Sequence, residues 1–290
     1  MSADDEWSVD AELGPGEVQV GTGRAELLAD ADRPGGWLLV IDRIRQSYVD
    51  LDDPTYLDFD YLRSMVDVLD AHGDGPLAVT HIGGGACTLA RYLAATRPGS
   101  SQIVLEPDAE LIRVIRARLP LPRGARIRIR PVGGREGISA LGDASADLVV
   151  LDAYVGGRVP ADLTTAEFLA DVARVLRPGG LLLANLTDGP PLDYTRRVVA
   201  ATRDVLPETL LVASTGVLGR RRYGNIVLAA ARQGLPTAGV RRAAASAMFP
   251  TRVIAGHALD TFVGRWAPLT DADPMRSPRP PDEGWRISAG

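Results

Sequence analysis

The spacing of apolar positions changes along this chain, and each pattern predicts a different kind of element. Between 17 and 57, short runs such as Glu17-Val-Gln-Val and Trp37-Leu-Leu-Val-Ile are cut by Gly21, Gly23 and Pro34-Gly35-Gly36. Runs of that length between turn formers predict a small antiparallel hairpin region. From 58 the period becomes helical, with Phe59, Leu62, Met65, Val66 and Leu69 on one face. A predicted strand over 77–82 then leads into the glycine turn 83–85 and a helix through Leu89, stopped by Pro98-Gly99. The alternation continues with strand 102–105 ending on Glu106, helix 109–119, strand 147–151 ending on Asp152, helix 165–176, and strand 181–185. Two last apolar runs, 210–217 and 225–231, flank Leu218-Gly-Arg-Arg-Arg-Tyr-Gly and predict an antiparallel hairpin at the sheet edge.

Strands that alternate with helices imply an α/β fold with a parallel sheet covered on both faces, and ligands beyond the carboxyl ends of its strands. The predicted divisions are a disordered tail over 1–16, the β region over 17–57, a Rossmann-like domain over 58–267 and a second disordered tail over 268–290. The last of these carries five prolines in its first fourteen positions and no hydrophobic periodicity.

Composition narrows the chemistry. The 290 residues are 46% hydrophobic and 24% charged, ordinary values for a globular chain. A net charge of −5 gives no basic footprint for a nucleic-acid partner. Every positive residue is Arg, so Schiff-base lysine chemistry and pyridoxal phosphate enzymes are excluded. Cys87 is the only cysteine, and His72, His81 and His257 show no ligand spacing, so no metal is expected. Cys87 at a helix start reads as a packing residue and His81 as a core histidine. An acidic N-terminus without an apolar continuation, and no 18-residue apolar run, predict a cytoplasmic chain with no membrane partner.

The candidate chemistry centres on His81-Ile-Gly83-Gly84-Gly85 between a strand and a helix. Glycines there admit a ligand to the backbone, and a helix N-terminus presents free N–H groups, although such a turn also serves tight packing alone. Glu106 follows Gly83 by 23 residues at the next strand end, near the spacing at which a carboxylate takes both ribose hydroxyls of a bound nucleoside. That spacing fits nicotinamide cofactors and S-adenosyl compounds alike.

Leu176-Arg-Pro-Gly-Gly-Leu-Leu-Leu and the terminal hairpin resemble class I S-adenosylmethionine-dependent methyltransferases. That resemblance implies a mostly parallel seven-stranded sheet with an antiparallel terminal hairpin. Over roughly 17–235 the chain resembles, more narrowly, the spermidine/spermine synthase (polyamine aminopropyltransferase) family. Leu39-Val-Ile-Asp-Arg-Ile-Arg-Gln46 resembles the family's glutamine-containing strand end, which implies that Gln46 contacts the nucleoside. Asp58-Phe-Asp-Tyr61-Leu-Arg-Ser-Met65 resembles its substrate-side helix start, implying Tyr61, with Tyr56 as the alternative. Val149-Val-Leu-Asp152 followed by Val159-Pro160-Ala resembles its catalytic-aspartate strand, implying Asp152 as the base and placing Pro160 near the acceptor. From its location alone Asp152 fits equally an aspartate capping a buried strand end, and Tyr154 either shapes the acceptor pocket or packs over it. The family's aspartate after the glycine loop is Ala86 here, its second acidic residue is Val155, its acidic pair near adenine reads Gly133-Gly134, and the residue after Tyr61 is Leu62.

Three functions stay open from these residues. The first is transfer of an aminopropyl group from decarboxylated S-adenosylmethionine to a small amine, in a chain that could form a homodimer as in the resembled family. The second is methyl transfer from S-adenosylmethionine, and the third a nucleoside-binding protein without chemistry. For the first, the cluster Asp50, Asp52, Asp53, Asp58 and Asp60 is either a pocket for the acceptor's charged end or a solvated loop.

Overall fold

The computed structural model describes residues 16–281 together with 285 and 287. Strands β1 (Glu17–Val20), β2 (Gly23–Ala29), β3 (Gly36–Ile41) and β4 (Ile44–Asp50) form a four-stranded antiparallel sheet in chain order. The larger body follows as α1 (Asp60–His72), β5 (Ala78–Ile82), α2 (Thr88–Thr96), β6 (Ser101–Leu105), α3 (Ala109–Arg118) and β7 (Arg126–Arg130). Next come α4 (Gly134–Ser139), β8 (Ala146–Leu151), a 3-10 turn (Ala161–Leu163), α5 (Ala166–Val175), β9 (Leu176–Asp188) and α6 (Asp193–Arg203). The chain continues through β10 (Glu208–Ser214), α7 (Thr215–Leu218), β11 (Gly224–Ala231), α8 (Thr237–Ala245), β12 (Thr251–Ala255) and α9 (His257–Val263).

The second sheet has eight strands in the order β12-β10-β11-β9-β8-β5-β6-β7, with the five from β9 to β7 parallel and the other three antiparallel. Side-chain alternation divides its core in two. Val79, Val150, Leu183, Val212 and Val227 meet Leu62, Met65 and Leu69 of α1, Leu93 of α2 and Val240 of α8. Val149, Leu182, Leu211 and Leu228 belong with Phe168 and Val172 of α5, Val198 of α6 and Phe262 of α9.

Two sequence expectations differ from this structure. The sheet has an eighth strand: β12 pairs with β10, so the hairpin strands sit inside the edge, and Thr215–Leu218 is a helical turn rather than strand. The Pro-rich stretch expected to be a disordered tail lies across the body over 268–281. Leu269 and Ser277 are fully buried, the Val159 amide donates to Ser277 Oγ at 2.8 Å, and Arg135 Nη1 donates to Asp271 Oδ1 at 2.8 Å. Prolines fix an extended strap that is held by single anchors, so no period announces it. Of the tail predicted over 1–16, residues 1–15 lie outside the described residues.

The small sheet is docked by specific contacts. Val20, Ala25, Leu39 and Val49 pack on Leu111, Val114 and Ile115 of α3. Asp108 accepts from the Leu111 amide at the start of α3 and from the amides of Gly21 and Thr22 in the β1–β2 turn. One carboxylate thereby caps a helix and clamps a hairpin. The Ala86 amide donates to Ser47 Oγ at 3.2 Å and Thr88 Oγ1 to the Tyr48 carbonyl at 2.9 Å, so β4 is seated over the glycine turn.

Candidate active site

The parallel strands end at one large cavity, about 1920 Å³. A single small-molecule site is commonly about 300–1,000 Å³, so this one has room for more than one small molecule. Gln46, Tyr61, Gly83, Gly84, Gly85, Glu106, Asp152, Tyr154 and Pro160, the residues singled out by sequence, all line it.

The glycine turn is there for steric reasons. Gly83 has φ +91°, and a Cβ on it would stand 2.2 Å from the Asp152 carbonyl oxygen. Gly85 has φ +45°, and its Cβ would strike Ser47 Oγ. Only glycine lets β5 turn this closely past the end of β8 and under β4. Glu106 is buried at the end of β6. Its Oε2 accepts from the Gly84 amide at 2.9 Å and its Oε1 from the Asp108 amide at 3.0 Å. Burial pushes this carboxyl up, and the amides of Asp108, Gly84 and Gly85 oppose the shift.

Asp152 stands just beyond β8 with both oxygens engaged. The Tyr61 hydroxyl donates to Oδ2 at 2.9 Å and Asn185 Nδ2 donates to Oδ1 at 2.9 Å. Burial pushes the Asp152 carboxyl up to about 6, while the two hydrogen bonds pull the other way. Burial also holds the Tyr61 phenol well above its ordinary value, so it stays a donor. A carboxylate poised near neutrality and aimed into a cavity suits a general base. Tyr154 donates from its hydroxyl to the Asn185 carbonyl at 2.8 Å, which makes it a wall of the same pocket.

Asn185 and Asn225 are the site residues that the sequence reading missed. Asn225 Nδ2 donates to Asn185 Oδ1 at 2.9 Å, completing a relay from β11 through β9 to Asp152. The available signal was an asparagine inside the apolar run Leu181-Leu-Leu-Ala-Asn185-Leu, because a buried amide in a central strand needs partners.

The acidic cluster does not form a cation pocket. Asp50 is buried against Arg33 Nε at 2.7 Å and accepts from the amides of Asp52 and Asp53, while Asp58 pairs with Arg45 at 2.7 Å. Of the five, Asp58 and Asp60 line the cavity. The arginines that neutralise these groups are 17 and 13 positions earlier, beyond the reach of local pattern. Ala86 is fully buried in the core of the small sheet and does not line the cavity. Cys87 is buried and burial pushes its thiol up to about 11, which leaves no thiolate at neutral pH. His81 is buried beside Gln102 Oε1 at 2.8 Å, and burial lowers it to about 4, so its ring is neutral. Among the described residues no group of three or more His, Cys, Asp or Glu is placed to hold a metal, and no helix is long and apolar enough to cross a membrane.

No protein-family model matches the chain. A crystal structure of a probable spermidine synthase from Corynebacterium glutamicum superposes with a TM-score of 0.82 at 30% identity, covering 88% of this chain and 96% of that one. The spermidine synthase of Thermotoga maritima superposes with a TM-score of 0.56 at 18% identity over 77% of this chain and 75% of that one, a likeness of fold. A polyamine aminopropyltransferase of Chromobacterium violaceum is 30% identical over 145 residues, 50% of this chain. The chain spans about half the length of that curated relative, 55%.

Proposed function

The chain belongs to the spermidine synthase family, and on that premise we propose that it transfers an aminopropyl group from decarboxylated S-adenosylmethionine to an amine acceptor. The carrying observation is Asp152, a buried carboxylate held by Tyr61 and Asn185 where it lines the same cavity as Glu106 and the glycine turn. In this reading the nucleoside lies on the β5–β6 side. Glu106 takes the ribose hydroxyls through lone pairs its two amide bonds leave free, the Gly83–Gly85 backbone admits the sulfonium end, and Gln46 closes over it from β4.

An amine attacks only when neutral, and its pKa lies far above 7, so a base must take its proton. Asp152 takes that proton. The nitrogen lone pair then forms a bond to the methylene carbon next to sulfur, the carbon–sulfur bond breaks, and its electron pair neutralises the sulfonium as methylthioadenosine leaves. Tyr61 and Asn185 keep the carboxylate aimed while its charge changes.

The test is Asp152→Asn, which keeps the size and the polar contacts but cannot serve as a base. Methylthioadenosine release should fall about 10²- to 10⁴-fold while affinity for methylthioadenosine stays within about twofold. Release at the wild-type rate would make Asp152 structural. S-adenosylhomocysteine formed from S-adenosylmethionine, in place of methylthioadenosine, would replace aminopropyl transfer with methyl transfer.

A further inference from the structure

The net charge of −5 hides an uneven distribution. From 111 to 130 the chain carries seven arginines and no Asp or Glu. They fall on α3, on β7 and on the turn between them, and β7 is the last strand of the large sheet. Arg126 and Arg128 are exposed and Arg130 partly buried on one face of β7, while Ile127 and Ile129 pack on the other face against Ile112 of α3. Arg113 is paired with Glu110, but among the described residues Arg126, Arg128 and Arg130 form no ion pair.

β6 takes one edge of β7, and no strand among the described residues takes the other. The Glu106 amide donates to the Arg130 carbonyl, so the backbone groups of Arg126, Arg128 and Arg130 face β6 and those of Ile127 and Ile129 face outward. On that outer side the Ile129 carbonyl accepts from Arg116 Nη2 at 3.5 Å. An open edge is a template for an extended strand, and guanidinium groups in a row beside it select an acidic one.

The chain itself holds such a sequence, Glu6-Trp-Ser-Val-Asp-Ala-Glu-Leu13, outside the described residues. Glu6, Ser8, Asp10 and Glu12 alternate there with Trp7, Val9, Ala11 and Leu13, the same period of two with which arginine and isoleucine alternate in β7. Its point of entry is also suitable. α3 stands between the small sheet and β7, with Leu111, Val114 and Ile115 toward the first and Ile112 toward the second. β1 packs on α3 and runs toward its start, where Asp108 holds Gly21 and Thr22, so Glu17 lies toward its end. The start of α3 follows the end of β6, which is parallel to β7, so Glu17 lies on the side where β7 begins. Three residues, Gly14-Pro15-Gly16, span about 10 Å, the width of the helix between. Leu13 thus reaches the free edge beside Arg126, and the residues before it run antiparallel to β7.

We propose that the free edge of β7 is a docking surface for an acidic strand, and that its occupant is the segment 6–13 of the same chain. Antiparallel pairing sets Asp10 beside Arg128 and Glu12 beside Arg126 on one face, with Val9 and Ala11 beside Ile129 and Ile127 on the other. The outward backbone groups of Ile127 and Ile129 then bond those of Ala11 and Val9. Because the segment leads into β1, its docking fastens the small sheet, whose β4 is seated over the glycine turn, to the outer edge of the large sheet. The proposal is independent of the transfer reading.

Amide exchange read residue by residue by NMR, on the full chain at low salt, tests it. Val9 and Ala11 should exchange at least about tenfold more slowly than Asp10 and Glu12 after correction for intrinsic rates, because only their N–H groups face β7. The slowing should be the same at low and high protein concentration. Protection that grows with concentration assigns the edge to a second copy and overturns the proposal, as does equally fast exchange at all four positions. Arg126→Glu with Arg128→Glu changes two exposed side chains, where folding is not at stake, and should abolish the protection. Adding Asp10→Arg and Glu12→Arg to that variant should restore it. Protection that survives the first pair of changes, or that the second pair does not restore, overturns the proposed pairing.

Discussion

Asn185 is fixed at both ends of its side chain, donating from Nδ2 to Asp152 Oδ1 while its Oδ1 accepts from Asn225 Nδ2, each at 2.9 Å. Its side-chain orientation is thereby set by β11, and the orientation of Asp152 by Asn185. A hydrogen bond to an ionised group is worth about 1.5–3 kcal/mol, and one pKa unit corresponds to about 1.36 kcal/mol. Asn185→Ala should therefore raise the Asp152 titration by roughly one to two units and move the acid limb of the pH–rate profile upward by as much. A ¹³C titration of the Asp152 carboxyl reads the same shift without turnover. An unmoved titration would mean that the amide plays no part in tuning the base.

Glu106 tests the other half of the cavity. Glu106→Ala removes charge-assisted hydrogen bonds to both ribose hydroxyls in the proposed complex, so methylthioadenosine affinity should drop at least tenfold, about 1.4 kcal/mol. The amides of Gly84 and Asp108 lose their acceptor in the same variant. A thermal melt alongside the calorimetry separates lost binding from lost fold. Full affinity in a folded variant would remove the ribose from this position.

Gly83 carries a stability prediction. The positive φ and the 2.2 Å approach of a Cβ to the Asp152 carbonyl make Gly83→Ala strained in two ways, at a cost of about 1–3 kcal/mol. Gly142→Ala, where nothing lies within 4 Å and φ is ordinary, should leave stability within about 0.5 kcal/mol. Urea melts of the two variants against the parent read the difference. Equal stabilities would mean that the β5 turn relaxes freely.

What the sequence reveals of this molecule follows the range over which each signal acts. The change from strand to helical spacing at Phe59, and glycines pinned between Ile82 and Ala86, are local, so the alternating body and the residues at its strand ends are visible without coordinates. Strand β12 is five residues long and contains Arg252, so its pairing with β10 gives no periodicity of its own. The neutralisation of Asp50 by Arg33 depends on how β3 and β4 fold back, and that of Asp58 by Arg45 on how the segment after β4 returns along it. The Asn185–Asn225 relay depends on the antiparallel register of β9 and β11, which opposes Asn185 to Val227. Contacts of that kind exist only in the folded sheet.

The final prediction concerns pH. Burial raises the Asp152 carboxyl from its ordinary 3.8 to about 6, so the proposed base is half protonated near pH 6. Activity with a good acceptor should fall about tenfold for each unit below that point, because only the ionised form can take the amine's proton. The same shift sets a stability effect of opposite sense. A carboxyl whose folded value exceeds its unfolded value contributes stability that is fully present below about pH 3.8 and is lost as pH rises through about 6. Asp152→Asn removes the penalty of the buried charge, and the Tyr61 hydroxyl can rotate to accept from the new amide. The variant should therefore melt higher than the parent at about pH 7.5, with the gap closing by about pH 4. A gap that is the same at both values, or that has the opposite sign at about pH 7.5, would mean that the Asp152 carboxylate is not penalised by its surroundings and does not titrate near 6.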